Sequence, residues 1–189
     1  MSEEKQLSTP LTDEDVEGLR AGDKVRLSGS LITARDAAHK RWVELIDAGE
    51  PLPVDLAGQA IYFVGPTPPK PGEVIGAAGP TTASRMDAYS PKLMALGLKG
   101  MIGKGTRGPE LVDAIRKYKC VYFAAVGGAG TLLSQYIKSS EMLAYEDLGT
   151  EAVRCLEVEG FPVIVANDVS GNDLFRMGKE AFARKRNRT

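Results

Sequence analysis

The sequence is poor in side chains that bind metals. Its 189 residues include one histidine, His39, and two cysteines, Cys120 and Cys155, which stand far apart in apolar, strand-like runs. Structural metal sites use several such ligands at short spacings. The sequence therefore predicts no metal site built from this chain alone. We interpret the two cysteines as buried small hydrophobic residues rather than as a disulfide or as ligands.

Long apolar runs and an excess of charge of one sign are also lacking. No run approaches the roughly 20 apolar residues that a membrane-spanning helix needs. The polar start Met1–Gln6 has no signal-peptide core, and the formal net charge is -1. These absences argue against a membrane protein and against a nucleic-acid partner, and they predict a cytoplasmic protein. With 43% hydrophobic residues, the chain is expected to fold as one compact soluble domain.

What is present is a pattern of short apolar runs followed by loops and helical patterns, which is typical of parallel βα units. The predicted strands include Lys24–Arg35, Val74–Ala78, Lys99–Gly103 and Cys120–Val126, and the last of them leads to a predicted helix over Thr131–Lys138. Gly29 is expected to interrupt the first strand, as a bulge or as a close approach of another backbone. These units predict parallel strands with flanking helices.

The pattern changes after Glu141. Strand-like runs at residues 142–145, 152–158 and 161–167 are separated by short turns such as Glu159-Gly160, which predicts antiparallel pairing beside a parallel core. No internal repeat or domain-scale linker is present. The expected fold is therefore one α/β domain with a mixed sheet.

Two polar, glycine-flanked loops stand out within this pattern. Gly79–Arg85 and Met101–Gly108 bracket one predicted helix and carry the cations Arg85, Lys104 and Arg107. If their strands are parallel neighbours, both loops leave the carboxyl edge of the sheet, where open α/β sheets bind ligands. Arginine forks and lysine point charges suit carboxylates. The loops predict a site for a small, multiply charged acid; structural loops with incidental charges are the alternative.

Two nucleotide-binding motifs are only partly matched. Gly103-Lys-Gly-Thr-Arg-Gly108 has the spacing G-x-G-x-x-G. The dinucleotide fingerprint also needs an acidic residue near the end of the next strand, and that strand ends in Gly127-Gly128. A P-loop needs Ser or Thr directly after its lysine, whereas Lys104 is followed by Gly105.

Four segments together resemble a known enzyme family. They are Thr33–Arg41, Gly79–Tyr89, Gly103-Lys-Gly and Gly127-Gly-Ala-Gly130, and their order and spacing resemble the iron–sulfur-dependent class I fumarate hydratase and L-tartrate dehydratase family. The resemblance covers the carboxy-terminal half of the single-chain enzymes, or the β subunit of the two-subunit ones. It implies a swivelling β/β/α domain over residues 22–189, preceded by an N-terminal extension, residues 1–21.

The resemblance also implies an activity. Family members reversibly add water across the double bond of a dicarboxylate, converting fumarate to (S)-malate, or dehydrate L-tartrate to oxaloacetate. A [4Fe–4S] cluster serves this reaction, and its ligands belong to the other half of the enzyme. The implied partner is an α subunit that carries the cluster, in an αβ heterodimer that pairs into a heterotetramer. The chain alone would be catalytically incomplete.

Site residues follow from the same motifs. Arg35, Arg85 and Lys104 match positions that bind substrate carboxylates, and Thr81 matches the proposed base. A threonine hydroxyl needs nearby cations and a proton acceptor to serve as a base. The alternative for Thr81 is a helix cap, a role that equally suits Thr82.

Several alternatives stay open on the sequence alone. Fumarate and tartrate differ by too little for any residue here to decide between them. A dicarboxylate-binding module without chemistry is the competing class of function. Asp36, Asp87 and Tyr89 are interpreted as structural support, and His39 as a residue of the site, of a partner contact or of a structural hydrogen bond.

Overall fold

The computed structural model describes residues 4–126 and 128–186. Within them, the strands are β1 (Lys5–Ser8), β2 (Lys24–Thr33), β3 (Ala60–Tyr62), β4 (Gly100–Gly103), β5 (Val121–Ala124), β6 (Ile137–Ala144) and β7 (Val153–Asn167). The helices are α1 (Asp13–Glu17), α2 (Asp36–Ala48), α3 (Ser90–Ala95), α4 (Pro109–Tyr118), α5 (Gly130–Ser134) and α6 (Leu174–Arg186). Two 3-10 helices cover Ala83–Met86 and Glu146–Glu151. Two parts of the sequence analysis lie outside the described residues. They are Gly127, in the segment Gly127-Gly-Ala-Gly130, and residues 1–3 of the polar start.

The strands form one mixed sheet that closes on itself. Their order is β1-β2-β3-β4-β5-β7-β6, and an additional pairing of β2 with β7 completes a circuit of β2, β3, β4, β5 and β7. The strands from β1 to β5 pair in parallel, whereas β7 runs antiparallel to β2, β5 and β6. The predicted mixed α/β fold, with a parallel core and antiparallel strands after it, is confirmed.

Alternating strand residues supply two separate cores, because successive side chains point to opposite faces of a strand. Tyr62, Ile102 and Phe123 pack in one buried cluster. Their neighbours Ile61, Met101 and Tyr122 pack in a second cluster on the opposite face, which helices α2, α3 and α4 cover through Trp42, Leu93 and Ile115. This double burial explains why the central strands are apolar along their whole length.

The first residues belong to the same packed structure. Thr12 forms a capping box with Asp15 at the start of α1. Strand β1 pairs with β2, and Leu11, Val16 and Leu19 are buried in the same cluster as the inner face of the sheet. The described part of residues 1–21 therefore packs on the core of the residues that follow. The boundary at residue 21 stays a prediction.

One predicted strand is wrong. Val74–Ala78 is not a strand but part of an extended loop, in which the Tyr62 hydroxyl donates a hydrogen bond to the carbonyl of Ala78 over 2.5 Å. The physical reason is that β3 already pairs with β2 on one edge and with β4 on the other. The apolar run therefore finds no free edge on β3, and Ile75 and Ala78 pack in the buried cluster at the end of the sheet instead.

The predictions for residues 131–167 need two corrections. Helix α5 ends at Ser134, and Ile137 begins β6, where it is buried opposite Val158. Strand β7 also runs through Gly160 without a turn, because the residues on both sides of Gly160 pair with the same strand, β2. A register shift between Leu27 and Gly29 of β2 accommodates one extra residue of β7, and a Cβ at Gly29 would lie 2.7 Å from the carbonyl oxygen of Thr9. The irregularity predicted at Gly29, a bulge or a close approach, is confirmed.

Candidate functional site

The candidate site lies where three neighbouring parallel strands end. Arg35 follows β2, and Lys104 follows β4. Thr81 lies between them, since its backbone N–H donates to the carbonyl of Phe63, directly after β3, over 2.7 Å. The carboxyl ends of parallel strands meet at one edge of a sheet, so this arrangement matches the predicted position.

Thr81 and Lys104 are joined through their backbones. The N–H of Lys104 donates to the carbonyl of Thr81 over 3.0 Å, and the carbonyl of Lys104 accepts from the N–H of Ala83 over 2.9 Å. The two polar loops therefore pair like short parallel strands, as the bridge between Thr82 and Lys104 shows. Residues that the sequence separates by a helix become direct neighbours.

Arg35 and Arg85 converge on one carboxylate. The Nε of Arg85 lies 2.8 Å from Oδ1 of Asp36, and an Nη of Arg35 lies 3.9 Å from Oδ2 of the same side chain. Glu151 contributes a second carboxylate, 3.3 Å from Arg35. The side chain of Arg85 is 51% exposed, whereas that of Arg35 is 21% exposed and only partly reaches the protein surface. The structure thus brings the two predicted arginines together.

Two buried polar atoms of the candidate site lack a hydrogen-bond partner among the described residues. They are Nε of Arg35 and Oδ2 of Asp36. Buried polar groups in native proteins nearly always have a partner, including water or a ligand. The arrangement therefore has capacity for a bound polar group that contacts Arg35.

His39 is buried next to the candidate site and contacts the backbone of Arg35. Its Nδ1 lies 2.9 Å from the carbonyl of Arg35, and its ring is fully buried among Trp42, Phe63 and Tyr89. Burial lowers the pKa of His39 to about 4. The neutral ring therefore donates from Nδ1 to that carbonyl. Of the three possibilities left open for His39, the structure shows the structural hydrogen bond.

Helix capping does not account for the two threonines. The 3-10 helix Ala83–Met86 has Thr82 at its N-cap position, and the side chain of Thr82 makes no capping hydrogen bond. Thr81 lies one residue further out, where its backbone links β3 to Lys104. Thr81 is half-buried, and its place in the chain is set by these backbone hydrogen bonds rather than by the helix end.

Arg107 is not part of an anion site, which corrects its grouping with Arg85 and Lys104. Its side chain is 0% exposed, and its Nε lies 2.6 Å from Oδ1 of Asp87. Burial lowers the pKa of Arg107, while the charge of Asp87 raises it, and an arginine stays protonated in this setting. The positive charge is already matched inside the protein, so it is not available to a ligand.

Sequence analysis missed Glu151 altogether. Its Oε2 accepts from the backbone N–H of Ala37 over 3.2 Å at the start of α2, while its Oε1 faces Arg35. It reaches this place from the 3-10 helix before β7, far along the chain. No local pattern around Glu151 signals that contact.

Gly103 is expected to be required at the end of β4. A Cβ built there would lie 2.9 Å from both the Cβ of Ala83 and the ring of Phe63, which are buried. We expect Gly103→Ala to reduce the free energy of unfolding by about 1–3 kcal/mol, as overpacking does. Chemical denaturation would measure it. Gly178→Ala in α6, where nothing lies within 4 Å, is the matched control and should not destabilise; equal stabilities of the two variants would contradict the prediction.

The two thiols do not suit an iron–sulfur cluster. Cys120 is fully buried, and burial raises its thiol pKa to about 12; burial also raises the pKa of Cys155. The thiolate is the form that binds iron. Over residues 4–126 and 128–186, no three His, Cys, Asp or Glu side chains come together as a metal site.

Among the described residues, no helix combines the length and the apolar character that crossing a membrane requires.

Comparison with known proteins adds a family and several relatives. The family profile described as Fumarase C-terminus matches residues 2–178. The chain is 41% identical over 155 residues to the anaerobic class I fumarate hydratase of Escherichia coli K12, covering 81% of this chain and 28% of that protein. It is 40% identical over 156 residues to fumarate hydratase 2 of Leishmania major, again covering 28% of the relative and 82% of this chain.

A further relative has nearly the same length as this chain. The β subunit of L(+)-tartrate dehydratase from Escherichia coli K12 is 34% identical over 187 residues, which cover 96% of this chain and 92% of that subunit. By contrast, the chain spans 28% of the length of the fumarate hydratases that it matches.

Proposed function

This chain belongs to the Fumarase C-terminus family, and from that membership we propose that it is the β subunit of a hydro-lyase that reversibly adds water to fumarate to give (S)-malate. The match covers 28% of the length of the fumarate hydratase that it resembles. We propose that the activity belongs to a complex, in which this chain supplies cations and a base.

One observation carries the proposal: Arg35 and Arg85, from distant segments, meet at Asp36. Two guanidinium groups facing the same small region can hold a substrate carboxylate by paired, charge-assisted hydrogen bonds. Lys104 stands on the adjacent loop, beside Thr81. Arg35, Arg85 and Lys104 carry three positive charges, whereas Asp36 and Glu151 carry two negative ones, so the group keeps an excess of positive charge that favours an anion.

Thr81 is the residue that we propose as the base, and its backbone contacts to Phe63 and Lys104 support this by placing it at the same edge of the sheet as the cations. Dehydration of malate requires removal of a proton from the carbon next to a carboxylate, and we propose that the Thr81 oxygen takes it. Nearby positive charge favours the alkoxide form of a hydroxyl group. Lys104 and Arg85 provide that charge, and a carboxylate of the partner would accept the threonine proton.

The proposed complex contains an α subunit that holds the [4Fe–4S] cluster. The cysteines of this chain do not suit that role, since one is fully buried and both have raised thiol pKa values. The match to 92% of a protein named as a β subunit supports a two-chain organisation. We propose αβ units that pair into a heterotetramer.

A second candidate is the β subunit of L(+)-tartrate dehydratase, which would form oxaloacetate. The specific observation in its favour is the coverage of 92% of that subunit, against 28% of the fumarate hydratases. The higher identity to the fumarate hydratases, 41% against 34%, keeps fumarate as the proposed substrate. A dicarboxylate-binding module without chemistry is the remaining alternative.

An anaerobic purification from the native cells tests these proposals together. The co-purifying chain masses, the iron content, and the conversion of malate to fumarate and of tartrate to oxaloacetate would be recorded on one sample. A stoichiometric, iron-containing partner and turnover of malate would support the proposal, whereas turnover of tartrate alone would identify the second candidate. A lone, iron-free, inactive chain would refute both and favour the binding module.

Arg85→Met should weaken substrate binding in the assembled complex. A hydrogen bond to a charged group contributes about 1.5–3 kcal/mol, which corresponds to an increase of about 10- to 100-fold in KM. Steady-state kinetics with malate would measure it. Arg116→Met is the matched control, because Arg116 is similarly exposed, at 58%, and lies on α4. A KM for Arg85→Met equal to that of the control would rule out contact between Arg85 and the substrate.

A further inference from the structure

A buried ion pair ties together the two loops of the candidate site. Asp87 directly follows the 3-10 helix that carries Arg85, and Arg107 lies in the loop that carries Lys104. The Oδ1 of Asp87 lies 2.6 Å from Nε of Arg107, and its Oδ2 accepts from the backbone N–H of Gly108 over 2.7 Å. The carboxylate of Asp87 therefore binds two successive residues of the opposite loop, Arg107 and Gly108.

The guanidinium group of Arg107 is held on its other sides as well. The ring centres of Tyr122 and Phe63 lie 4.8 and 5.4 Å from its Cζ, and an Nη donates to Oγ of Ser90 over 3.2 Å. Cation–π contacts of this kind are favourable where water is excluded. The cation thus has a fixed position with contacts on several sides.

The same two aromatic residues also hold the backbones of the site. The carbonyl of Phe63 accepts the N–H of Thr81, and the hydroxyl of Tyr122 donates to the carbonyl of Gly105, next to Lys104, over 2.9 Å. A shift of Arg107 would disturb the Tyr122 ring and its hydrogen bond directly, and it would change the packing of the Phe63 side chain next to the carbonyl that binds Thr81. The network therefore extends from Asp87 to Thr81 on one side and to Lys104 on the other.

We infer that the Asp87–Arg107 pair is a positioning element that fixes Thr81 and Arg85 relative to Lys104 for reaction with a dicarboxylate. This inference rests on the proposed function. Neither residue is placed to contact the substrate, since Arg107 is fully buried and Asp87 binds it.

Stability alone is a weak explanation for such a pair. Removing two charges from water costs so much that replacing a buried ion pair by neutral groups of similar size is often harmless to stability. Catalysis, by contrast, is sensitive to geometry, and a displacement of about 1 Å can lower the rate about 100-fold. Removal of the pair is therefore expected to lower turnover and to leave the free energy of unfolding almost unchanged.

The test compares the double variant Asp87→Asn/Arg107→Met with the parent in the assembled complex. We expect kcat/KM for malate to fall at least about 10-fold, the unfolding midpoint to stay close to that of the parent, and amide hydrogen exchange to quicken at residues 81–85 and 104–108. Arg107→Lys keeps the charge but loses the planar fork, so it should lower kcat/KM less than the double variant does. If the double variant does not fold, this smaller loss of kcat/KM in Arg107→Lys is the test.

The control is an equivalent pair at the surface, Asp113→Asn/Arg116→Met, whose charges lie 3.8 Å apart on α4. It should leave kcat/KM and hydrogen exchange unchanged. Parental kcat/KM, or parental exchange at both loops, in the folded double variant would overturn the inference. A parent complex that turns over no dicarboxylate would instead refute the proposed function, so the two failures are distinguishable.

Discussion

We expect Thr81→Ala to lower kcat for malate dehydration about 10²- to 10⁴-fold in the assembled complex, which is the range that a general base contributes. Binding should change little, because Arg35, Arg85 and Lys104 keep their charges. The backbone contacts of Thr81 to Phe63 and Lys104 do not depend on its side chain. Single-turnover kinetics and equilibrium binding of malate would separate the two effects.

Two variants make this prediction specific. Thr81→Ser keeps a hydroxyl at the same position and should retain much more turnover than the alanine variant. Thr82→Ala removes the neighbouring exposed threonine, which makes no capping hydrogen bond, and should behave as the parent. A parental kcat in Thr81→Ala would show that the proton goes to another group.

The second large effect is a loss of stability in acid that depends on His39. Its pKa is about 4 in the folded chain, against an ordinary value of 6.5. Between these values the unfolded chain binds a proton that the folded chain does not, so stability is complete above pH 6.5 and falls as the pH drops towards 4. The loss from this residue alone should approach about 3 kcal/mol.

Urea unfolding at pH 7, 6 and 5 would measure this loss, because few carboxyl groups titrate in that interval. His39 is the one histidine in the sequence, so no other histidine can contribute. His39→Phe replaces the imidazole by an apolar ring that does not titrate, so the free energy of unfolding of this variant should vary less with pH. Equal slopes for parent and variant would show that His39 does not stay neutral in the folded state.

The parts of the fold that the sequence predicts correctly are those set by nearby residues. One such signal is the run Lys99–Gly103, a short apolar strand that ends at glycine before the polar residue Lys104, and the structure places Lys104 after β4 at the carboxyl edge of the sheet. Arg35 is identified from the family resemblance and not from such a signal. The capping box of Thr12 with Asp15, and Gly49, which ends α2 in the left-handed conformation with φ 72°, are local features of the same kind.

What the sequence could not predict depends on contacts between distant residues. Lys104 and Arg107 are cations of the same loop, and nothing local shows that one is exposed while the other is buried against Asp87, Tyr122 and Phe63. Ile137 is a similar case. Short apolar runs fit a helix or a strand equally well, and the pairing with β7 decides between them.

The closed circuit of strands has a consequence for how this chain folds. Its closing contact joins Lys24 to Ile164 and Ile32 to Cys155, so residues from opposite ends of the chain must meet. Such long-range contacts slow folding, because the entropy of a large loop is lost before the pairing compensates for it. During synthesis on the ribosome, β2 cannot complete its pairing until β7 has been synthesised. We therefore expect a nascent chain that ends before β7 to hold its parallel strands in an open sheet with β2 and β5 exposed at the two unpaired edges, a state in which chaperones would bind it.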